Sequence, residues 1–343
     1  MGIRSLVTVK SMPTVSVIIP NYNHAPFLRQ RIETVLGQKY QDFEVILLDD
    51  CSTDDSCAII SEYANDPRIR TEFNQKNSGS TFKQWNKGVR LARGEYVWIA
   101  ESDDYADERL LGELVSLLDS NPKTVFAYCR SGCVSEDGQI GGFLDGYLSD
   151  LDARKWTADF WADGYEECEK YLVHGNSVPS ASAVLFRKDV YEQVGGADEE
   201  LVFCGDWKTW ASLALAGGGI AYISEVLNYH RVNEMSVTSQ SGRRGVDADE
   251  YLRVILWILQ RVTPPQSTRD KLGRDLFDLW SPRVLTKRTL LSRRWRILKN
   301  ARAIDRHALR KLVCPALAAL RFKLTSQYRK NLQQWLRRIS LLF

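Results

Sequence analysis

The chain has 343 residues, of which 44% are hydrophobic and 26% are charged, as in ordinary globular proteins. This length allows one large domain or two modest ones. No run of about 18 apolar residues and no signal peptide is apparent, so we expect neither a spanning helix nor secretion. The seven cysteines are irregularly spaced without a CxxC pair, which is typical of free thiols in a reducing, cytoplasmic compartment.

The net charge of +3 hides a strong asymmetry along the chain. Residues 283–343 contain 17 lysines and arginines but a single acid, Asp305, so the rest of the chain is acidic. An acidic body followed by a basic segment indicates two separate tasks.

Up to about residue 130, short apolar runs alternate with segments whose apolar residues recur at helical spacing. The predicted strands are residues 15–19, 44–48, 69–73, 96–100 and 125–129. Repeated βα units predict an α/β fold with a mostly parallel sheet and helices on both faces. Such sheets bind ligands at the carboxyl ends of their strands. In this chain those ends are residues 21–23, 49–50 and 101–104.

The second half is less regular. We predict a strand at residues 179–187, a helix at 205–218 that its glycines end, and a further strand at 220–224. From Tyr251 onward the pattern is helical.

The residues after the first strand, "PNYNHAP", contain no GxGxxG, and the chain has no GxxxxGK[ST]. The usual glycine-rich phosphate cradles of dehydrogenases and P-loop enzymes are therefore missing. The strand ends offer carboxylates instead, and carboxylates bind a diphosphate only through a divalent cation. Oxygen ligands suit Mg²⁺ or Mn²⁺, which typically bind one or two carboxylates together with water and substrate phosphates.

The stretch "VSVIIPNYNHAPFLRQRIETVLGQKYQDFEVILLDDCSTDDS" and the later "GEYVWIAESDD" resemble the inverting family 2 glycosyltransferases of the GT-A fold. The resemblance covers roughly residues 15–238. It implies a glycosyltransferase domain at 15–245, with nucleotide-sugar binding in 15–130 and acceptor binding in 131–245. Residues 1–14 would be a tail and 246–343 a basic helical extension.

The resemblance implies a donor site at the ends of the first strands. Pro20 and Tyr22 would pack on the nucleotide base, with Asn23 in the same turn, and Lys83 would face the diphosphate. Asp50 matches the family's base-binding aspartate, which favours a UDP- or dTDP-sugar because a carboxylate accepts from the imide N–H of uracil or thymine. The alternatives are that Asp50 only caps a helix and that Lys83 is only a solvated charge.

"ESDD" resembles the family's DxD-type metal motif. The resemblance implies that Asp104 is the main ligand of Mg²⁺ or Mn²⁺ and that Asp103 reaches the ribose or a metal-bound water. Glu101 would be a weaker contributor. The alternative is a helix N-terminus decorated with acids, which favour that end of the helix dipole.

In the acceptor half, the resemblance implies that Asp206 is the catalytic base; the alternative is that it caps a helix. Trp207 would stack on a sugar or belong to the core. Residues 227–238 resemble the family's flexible loop, in which His230 and Arg231 are candidates for diphosphate or acceptor contacts. His230 occupies the position of the family's usual arginine, which leaves these contacts open.

The basic segment places Leu291, Trp295 and Leu298 at helical intervals among arginines, a pattern typical of helices that lie on an anionic membrane surface. The alternative is a basic face that meets the acidic body or a partner. No nucleic-acid recognition motif accompanies the charge. A membrane-surface enzyme would suit a lipid-linked saccharide acceptor in bacterial O-antigen or capsule assembly.

Two other functions are considered. A non-catalytic nucleotide-sugar or glycan-binding subunit would not need the full set of Asp50, Asp103, Asp104 and Asp206. A sugar nucleotidyltransferase would need a glycine- and lysine-rich phosphate loop near the N-terminus, which this sequence lacks.

Overall fold

A computed structural model of the chain describes residues 12–136, 138–232, 246–272 and 291–304. Within these ranges ten strands join in one sheet. The strands are β1 (Val15–Asn21), β2 (Phe43–Asp49), β3 (Ile69–Phe73), β4 (Tyr96–Ile99), β5 (Tyr105–Ala106), β6 (Thr124–Val134), β7 (Ile140–Phe143), β8 (Phe160–Asp163), β9 (Val184–Arg187) and β10 (Gly219–Arg231).

The order across the sheet is β3-β2-β1-β4-β9-β6-β10-β5, with β7 added to β6 and β8 added to β10. Strands β3, β2, β1 and β4 are parallel to one another. Strand β9 runs antiparallel to both β4 and β6, whereas β6 and β10 are parallel. The predicted α/β class is confirmed, but the parallel arrangement is confined to the N-terminal strands and the β6–β10 pair.

The α-helices of the described residues include α1 (Ala25–Leu36), α2 (Ser56–Glu62), α3 (Thr81–Leu91), α4 (Leu110–Ser120), α5 (Leu148–Leu151), α6 (Gly164–Glu167), α7 (Lys188–Gln193), α8 (Gly205–Ala214), α9 (Val246–Leu259) and α10 (Leu291–Ile304). Among the described residues, no helix is both long and apolar enough to cross a bilayer.

The sheet separates two apolar layers. Helices α1 and α4 cover one face, where Leu28, Ile32 and Leu114 are fully buried. Helices α3 and α8 cover the other, where Trp85 and Trp210 pack 5.9 Å apart between ring centroids. Because successive residues of a strand point to opposite faces, every central strand contributes to both layers. The parallel strands therefore end at a common, rigidly held edge.

The C-terminal helices pack on the same body. Apolar side chains of α9, among them Leu252 and Ile255, join the core beside α3 and α8, and Ile297 of α10 is buried with them. Arg296 of α10 donates to Asp249 of α9 over 2.7 Å. The described part of the expected helical extension is thus attached to the rest of the protein.

Two predicted elements differ from the structure. Residues 227–231, expected in a flexible loop, are the last part of β10, which pairs with β6 and β5; residues 233–238 of that loop lie outside the described residues. The predicted strand at 179–187 begins with a 3₁₀ turn, Ala181–Ala183, so only Val184–Arg187 is extended.

The expected division at residue 130 falls inside β6, and the sheet is continuous across it. Most of the expected tail 1–14 lies outside the described residues.

Candidate active site

The ends of β1 and β2 are tied together through side chains. Asn21 and Asp49 are in register, and Asn21 Nδ2 donates to Asp49 Oδ1 over 2.8 Å. The Ser52 hydroxyl donates to the same oxygen over 2.6 Å and accepts from the backbone N–H of Asn23 over 2.9 Å. Asn23 has a φ of 55°, which asparagine tolerates better than most residues. Asn23 therefore shapes the turn that holds Tyr22.

Tyr22 is the accessible residue of the pair expected to contact a nucleotide base. It is 45% exposed at the tip of this turn, so a ring face is available for stacking. Pro20 is buried within β1 opposite Leu48. Pro20 thus supports the turn from below, whereas Tyr22 offers the surface.

Asp50 holds the segment between β3 and α3. Its carboxylate accepts from the Asn74 amide over 2.5 Å, from the N–H and hydroxyl of Ser78 over 2.9 and 2.7 Å, and from Gln84 over 3.0 Å. These donors come from residues 74–84 and none from α2, so Asp50 is not the helix cap that was the alternative. A base that binds Asp50 must replace one of these protein donors.

Lys83 and Lys87 lie one helical turn apart on α3. Lys83 is exposed, and its ammonium donates to the Ser78 carbonyl over 3.3 Å. Lys87 donates to Asn74 over 2.8 Å, and Asn74 in turn donates to Asp50. Lys83 is therefore the more accessible of the two ammonium groups, and Lys87 supports the Asp50 cluster.

Three acids follow β4 within four residues. Glu101 accepts from the Trp85 indole N–H over 2.7 Å, and burial, with Asp103 nearby, raises the pKa of Glu101 well above its usual value. Burial and the charge of Asp104 also raise the pKa of Asp103, which is partly exposed. Helix α4 starts only at Leu110, after β5, so these acids do not form its N-terminus, as the alternative required.

Asp104 is the most deeply buried of the three, at 3% exposure. It accepts from the backbone N–H of Arg231 over 2.9 Å, and His230 Nδ1 lies 3.3 Å from the same oxygen. Burial alone would raise the pKa of Asp104, but His230 and Arg31 lower it. Reciprocally, Asp104 raises the pKa of His230 against the effect of burial. The pair is held in its charged form.

Arg31, which the sequence analysis overlooked, lies beneath the acids. Its side chain is fully buried; Nε donates to the Glu101 carbonyl over 2.8 Å and Nη2 is 3.9 Å from Asp104 Oδ2. Nη1 and Nη2 have no hydrogen-bond partner among the described residues. Arg31 is three residues after Leu28 and four before Val35, on the apolar face of α1. An arginine on that face is the signal that identifies it.

Arg231 differs from its expected role. It is 3% exposed, and its guanidinium donates to the carbonyls of Asp103, Ser135 and Glu136 and to the Gln30 side chain over 2.8–3.0 Å. A guanidinium that already donates to these four acceptors is not available to bind a diphosphate, so the expected diphosphate contact of Arg231 is wrong. Arg231 instead joins β10 to the acidic segment, which brings His230 to Asp104.

The acids fit a divalent cation by their chemistry. Asp103 and Asp104 supply hard oxygen atoms, and the raised pKa of Asp103 indicates negative charge that is incompletely balanced. No cluster of three His, Cys, Asp or Glu side chains that could hold a metal occurs in the described ranges. Mg²⁺ and Mn²⁺ need only one or two carboxylates when water and substrate phosphates complete the shell.

Asp206 lies in the first turn of α8. Cys204 is the residue at the N-cap, so Asp206 is not the helix cap of the alternative. Asp206 is partly exposed, its Oδ2 accepts from the Asn176 amide over 2.9 Å, and burial raises its pKa to about 6. A carboxylate with this pKa is ionised at neutral pH and is a stronger base than an ordinary aspartate. No sequence signal identifies Asn176 as its partner.

Trp207 belongs to the core and not to a sugar-binding surface. It is 1% exposed, its indole N–H donates to the Leu172 carbonyl over 2.9 Å, and its ring lies 4.6 Å from that of Tyr251. Trp210 is also buried, as predicted.

Helix α3 contacts both halves of the site. Trp85 donates to Glu101 on one side and packs against Trp210 of α8 on the other. A Cβ added to Gly205, next to Asp206, would come within 2.3 Å of the Phe82 ring. The relative position of the acidic cluster and Asp206 therefore depends on close packing between α3 and α8.

The sequence profile of Glycosyl transferase family 2 matches residues 16–195, just over half of the chain. The chain belongs to this family. The matched segment includes Asp50, Asp103 and Asp104 but ends before Asp206 and His230, so the family match leaves those two residues untested.

Characterised relatives resemble the chain over its N-terminal part. Chondroitin synthase from Escherichia coli is 43% identical over 101 residues, which are 29% of this chain and 14% of that protein. Poly(ribitol-phosphate) beta-N-acetylglucosaminyltransferase TarS from Staphylococcus aureus is 31% identical over 123 residues, which are 35% of this chain and 22% of that protein. The alignments thus span less than a quarter of either relative.

Solved structures resemble almost the whole chain. TarS residues 1–349 in complex with UDP-GlcNAc superpose with a TM-score of 0.59 at 18% identity, over 87% of this chain and 92% of that one. The mannosyltransferase PcManGT from Pyrobaculum calidifontis, in complex with GDP-Man and Mn²⁺, gives a TM-score of 0.58 at 18% identity, over 94% and 84%. At these identities the likeness shows the fold, which is the expected GT-A fold.

We expect Arg31→Met to lower the free energy of unfolding by about 3–5 kcal/mol, because the buried acids would lose their cation. Urea unfolding followed by tryptophan fluorescence measures the loss. Added Mn²⁺ should restore part of the stability if Asp103 and Asp104 bind it.

Arg29→Met is the matched control on the same helix. Arg29 is an exposed arginine paired with Glu62 over 2.7 Å, and such a pair contributes about 1 kcal/mol or less. Equal losses in the two variants would contradict the role assigned to Arg31.

Proposed function

We propose that the chain is a metal-dependent, inverting glycosyltransferase that uses Asp206 as its general base. The donor would be a nucleotide-diphospho-sugar, with a UDP- or dTDP-sugar favoured, and the acceptor a saccharide hydroxyl. The observation that carries the proposal is Asp206 itself, a partly exposed carboxylate on a rigid helix, oriented by Asn176, with a pKa of about 6.

Inversion follows from a single displacement. The acceptor hydroxyl attacks the anomeric carbon while Asp206 removes its proton, and the bond from that carbon to the diphosphate oxygen breaks. The base must be ionised yet basic enough to take the proton. Burial makes Asp206 more basic, and because its pKa of about 6 is still below 7, it is ionised at neutral pH.

The donor would occupy the ends of β1, β2 and β4. Tyr22 would stack on the base, Asp50 would accept from it in place of a protein donor, and Lys83 would approach the diphosphate. Asp103 and Asp104 would hold Mg²⁺ or Mn²⁺, which supplies charge stabilisation to the departing nucleoside diphosphate. Complexes of structural relatives with UDP-GlcNAc, and with GDP-Man and Mn²⁺, support a nucleotide-sugar and a divalent metal as partners.

The acceptor is proposed to be a lipid-linked saccharide in the assembly of a bacterial cell-surface polysaccharide such as O-antigen or capsule. Relatives named for chondroitin and poly(ribitol-phosphate) support polymer synthesis in general. Helix α10 contains five basic residues and no acid, and it exposes Leu291 and Trp295 at 74% and 46%. We infer that this face rests on anionic lipid at the cytoplasmic side of the membrane.

We expect Asp206→Asn to lower kcat for transfer by at least about a hundredfold while donor affinity stays unchanged, because the base acts on the acceptor. The kcat of the unaltered protein should rise with pH through about 6 and then level off, since only ionised Asp206 accepts a proton. Acceptor-dependent release of nucleoside diphosphate and calorimetric donor titration measure the two quantities.

Asp198→Asn is the control for this variant, since Asp198 pairs with Lys208 on α8 and is not in the site. Normal turnover by Asp206→Asn would refute the base assignment. Donor binding without transfer by the unaltered protein, across a panel of saccharide acceptors, would favour a non-catalytic binding subunit.

Chelation with EDTA should abolish both transfer and the thermal stabilisation by UDP, and Mn²⁺ or Mg²⁺ should restore both. Asp103→Asn and Asp104→Asn should require more metal for half-maximal stabilisation, because each removes an oxygen ligand. Glu113→Gln, an exposed acid on α4, serves as the control. UDP stabilisation that is indifferent to EDTA would argue against the metal.

Leu291→Ser combined with Trp295→Ser should weaken binding to vesicles containing anionic phosphatidylglycerol, because the variant loses its exposed apolar side chains. Co-sedimentation measures the bound fraction, with neutral phosphatidylcholine vesicles for comparison. Ile140→Ser removes an equally exposed apolar residue from β7 and should change nothing. Unchanged binding by the double variant would remove α10 from the membrane proposal.

A further inference from the structure

The segment that leads into α8 is held by one buried carboxylate from α9. Glu250 is 4% exposed and accepts from three successive backbone N–H groups, those of Val202, Phe203 and Cys204, over 2.9, 2.8 and 3.0 Å. Hydrogen bonds to an ionised acceptor are stronger than neutral ones. Because Asp206 follows Cys204 by two residues, Glu250 fixes where the first turn of α8 begins.

The neighbouring residue, Tyr251, holds the loop on the other side of Asp206. Its hydroxyl donates to the His174 carbonyl over 2.9 Å, and a Cβ added to Gly175 would approach that hydroxyl within 2.3 Å. Two residues after His174, the Asn176 amide donates to Asp206 Oδ2. The Tyr251 ring also lies 4.6 Å from the Trp207 ring. Tyr251 therefore supports both Asn176 and the residue next to Asp206.

Helix α9 is a rigid base for these contacts. Ala248, Leu252 and Ile255 are fully buried in the core beside α8, and Asp249 is bound by Arg296 of α10. Ala248 therefore packs into the body and Asp249 holds α10, whereas Glu250 and Tyr251 contact the loops around Asp206.

We propose that the N-terminal part of α9 positions the catalytic base, with Glu250 and Tyr251 as positioning residues for Asp206. The inference rests on the proposed function, in which Asp206 takes the acceptor proton. It extends the catalytic unit to residues 250–251, which lie beyond the family-matched segment 16–195. The helical C-terminal region is then required for transfer itself and not only for location.

Charge provides a readout separate from stability. The groups that act on Asp206 are the Glu250 carboxylate from α9, the Asn176 amide and the backbone N–H of Trp207. The Cys204 thiol and the Tyr147 hydroxyl are close enough to be affected by the charge of Asp206. Burial raises the pKa of Asp206 most, and Glu250 raises it further. A neutral residue at 250 should therefore lower the pKa of Asp206.

The test compares Glu250→Gln and Tyr251→Phe with Arg253→Gln, a control on the same helix whose arginine pairs with the exposed Glu200 over 3.6 Å. We expect kcat to fall about ten- to hundredfold in the first two variants, since displacement of a catalytic group by about 1 Å has effects of this size. The KM for donor should stay within about twofold, because the donor half is untouched. In Glu250→Gln the acid limb of kcat should also move to lower pH.

A normal kcat in Tyr251→Phe, or a lowered melting temperature with unchanged kcat and acid limb in Glu250→Gln, would overturn the inference. If Glu250→Gln does not fold, Tyr251→Phe decides, because it keeps the ring against Trp207. Failure of the proposed function looks different: Asp206→Asn would then turn over normally, which would overturn both proposals. An inactive Asp206→Asn beside fully active Glu250 and Tyr251 variants would overturn this inference alone.

Discussion

A buried positive charge beneath three carboxylates is the interaction on which the donor half of the site depends. Arg31 has no exposure to solvent, and its charge is felt by Glu101, Asp103 and Asp104 together. Without a cation in that position, the pKa of Asp104, which Arg31 and His230 hold low against the effect of burial, would rise. The arrangement remains incompletely satisfied, since two Arg31 nitrogens lack hydrogen-bond partners among the described residues. A divalent cation and a diphosphate would add the charges that this cluster can still accept.

The carboxylate of Asp206, on α8, has the opposite electrostatic environment. Asp206 has the amide of Asn176 as its partner, and no arginine or lysine is among the main influences on its charge, so burial raises its pKa to about 6. Asp104, by contrast, is held ionised by His230 and Arg31. The neighbours of these two carboxylates thus shift their pKa values in opposite directions, which suits Asp104 to the proposed cation and Asp206 to the proposed transfer of a proton.

The parts of the site that depend on local pattern could be predicted from the sequence. Buried strands have continuous apolar runs, and the polar residues after them mark the edge where ligands bind, which points to residues 49–50 and 101–104. The choice of Asp50 and Asp104 among them follows from the family resemblance. Helical spacing also predicts that Trp207 is buried. Trp207 and Trp210 are three residues apart and share the buried face of α8, so a buried Trp210 already predicted a buried Trp207. The role of Arg231 could not be predicted, because its partners lie roughly 95 to 200 residues away.

The basic C-terminal region illustrates why composition separates tasks less cleanly than folding does. The charge of residues 283–343 predicts an accessory membrane segment. Helix α10 of that segment is bound to α9, however, and α9 carries Glu250, which anchors the residues before Asp206. Both roles are compatible because α9 and α10 use different faces: Ile297 and Arg296 attach α10 to the body, while Trp295 stays half exposed. Helix α10 would touch lipid on one face, and with another face it holds α9, which supports the proposed base. This arrangement would place the acceptor side of the protein close to a lipid-linked substrate. Charge asymmetry therefore predicts the surface proposed to meet lipid, whereas the packing of α10 on α9 and of α9 beside α8 joins that surface to the half of the protein that carries Asp206.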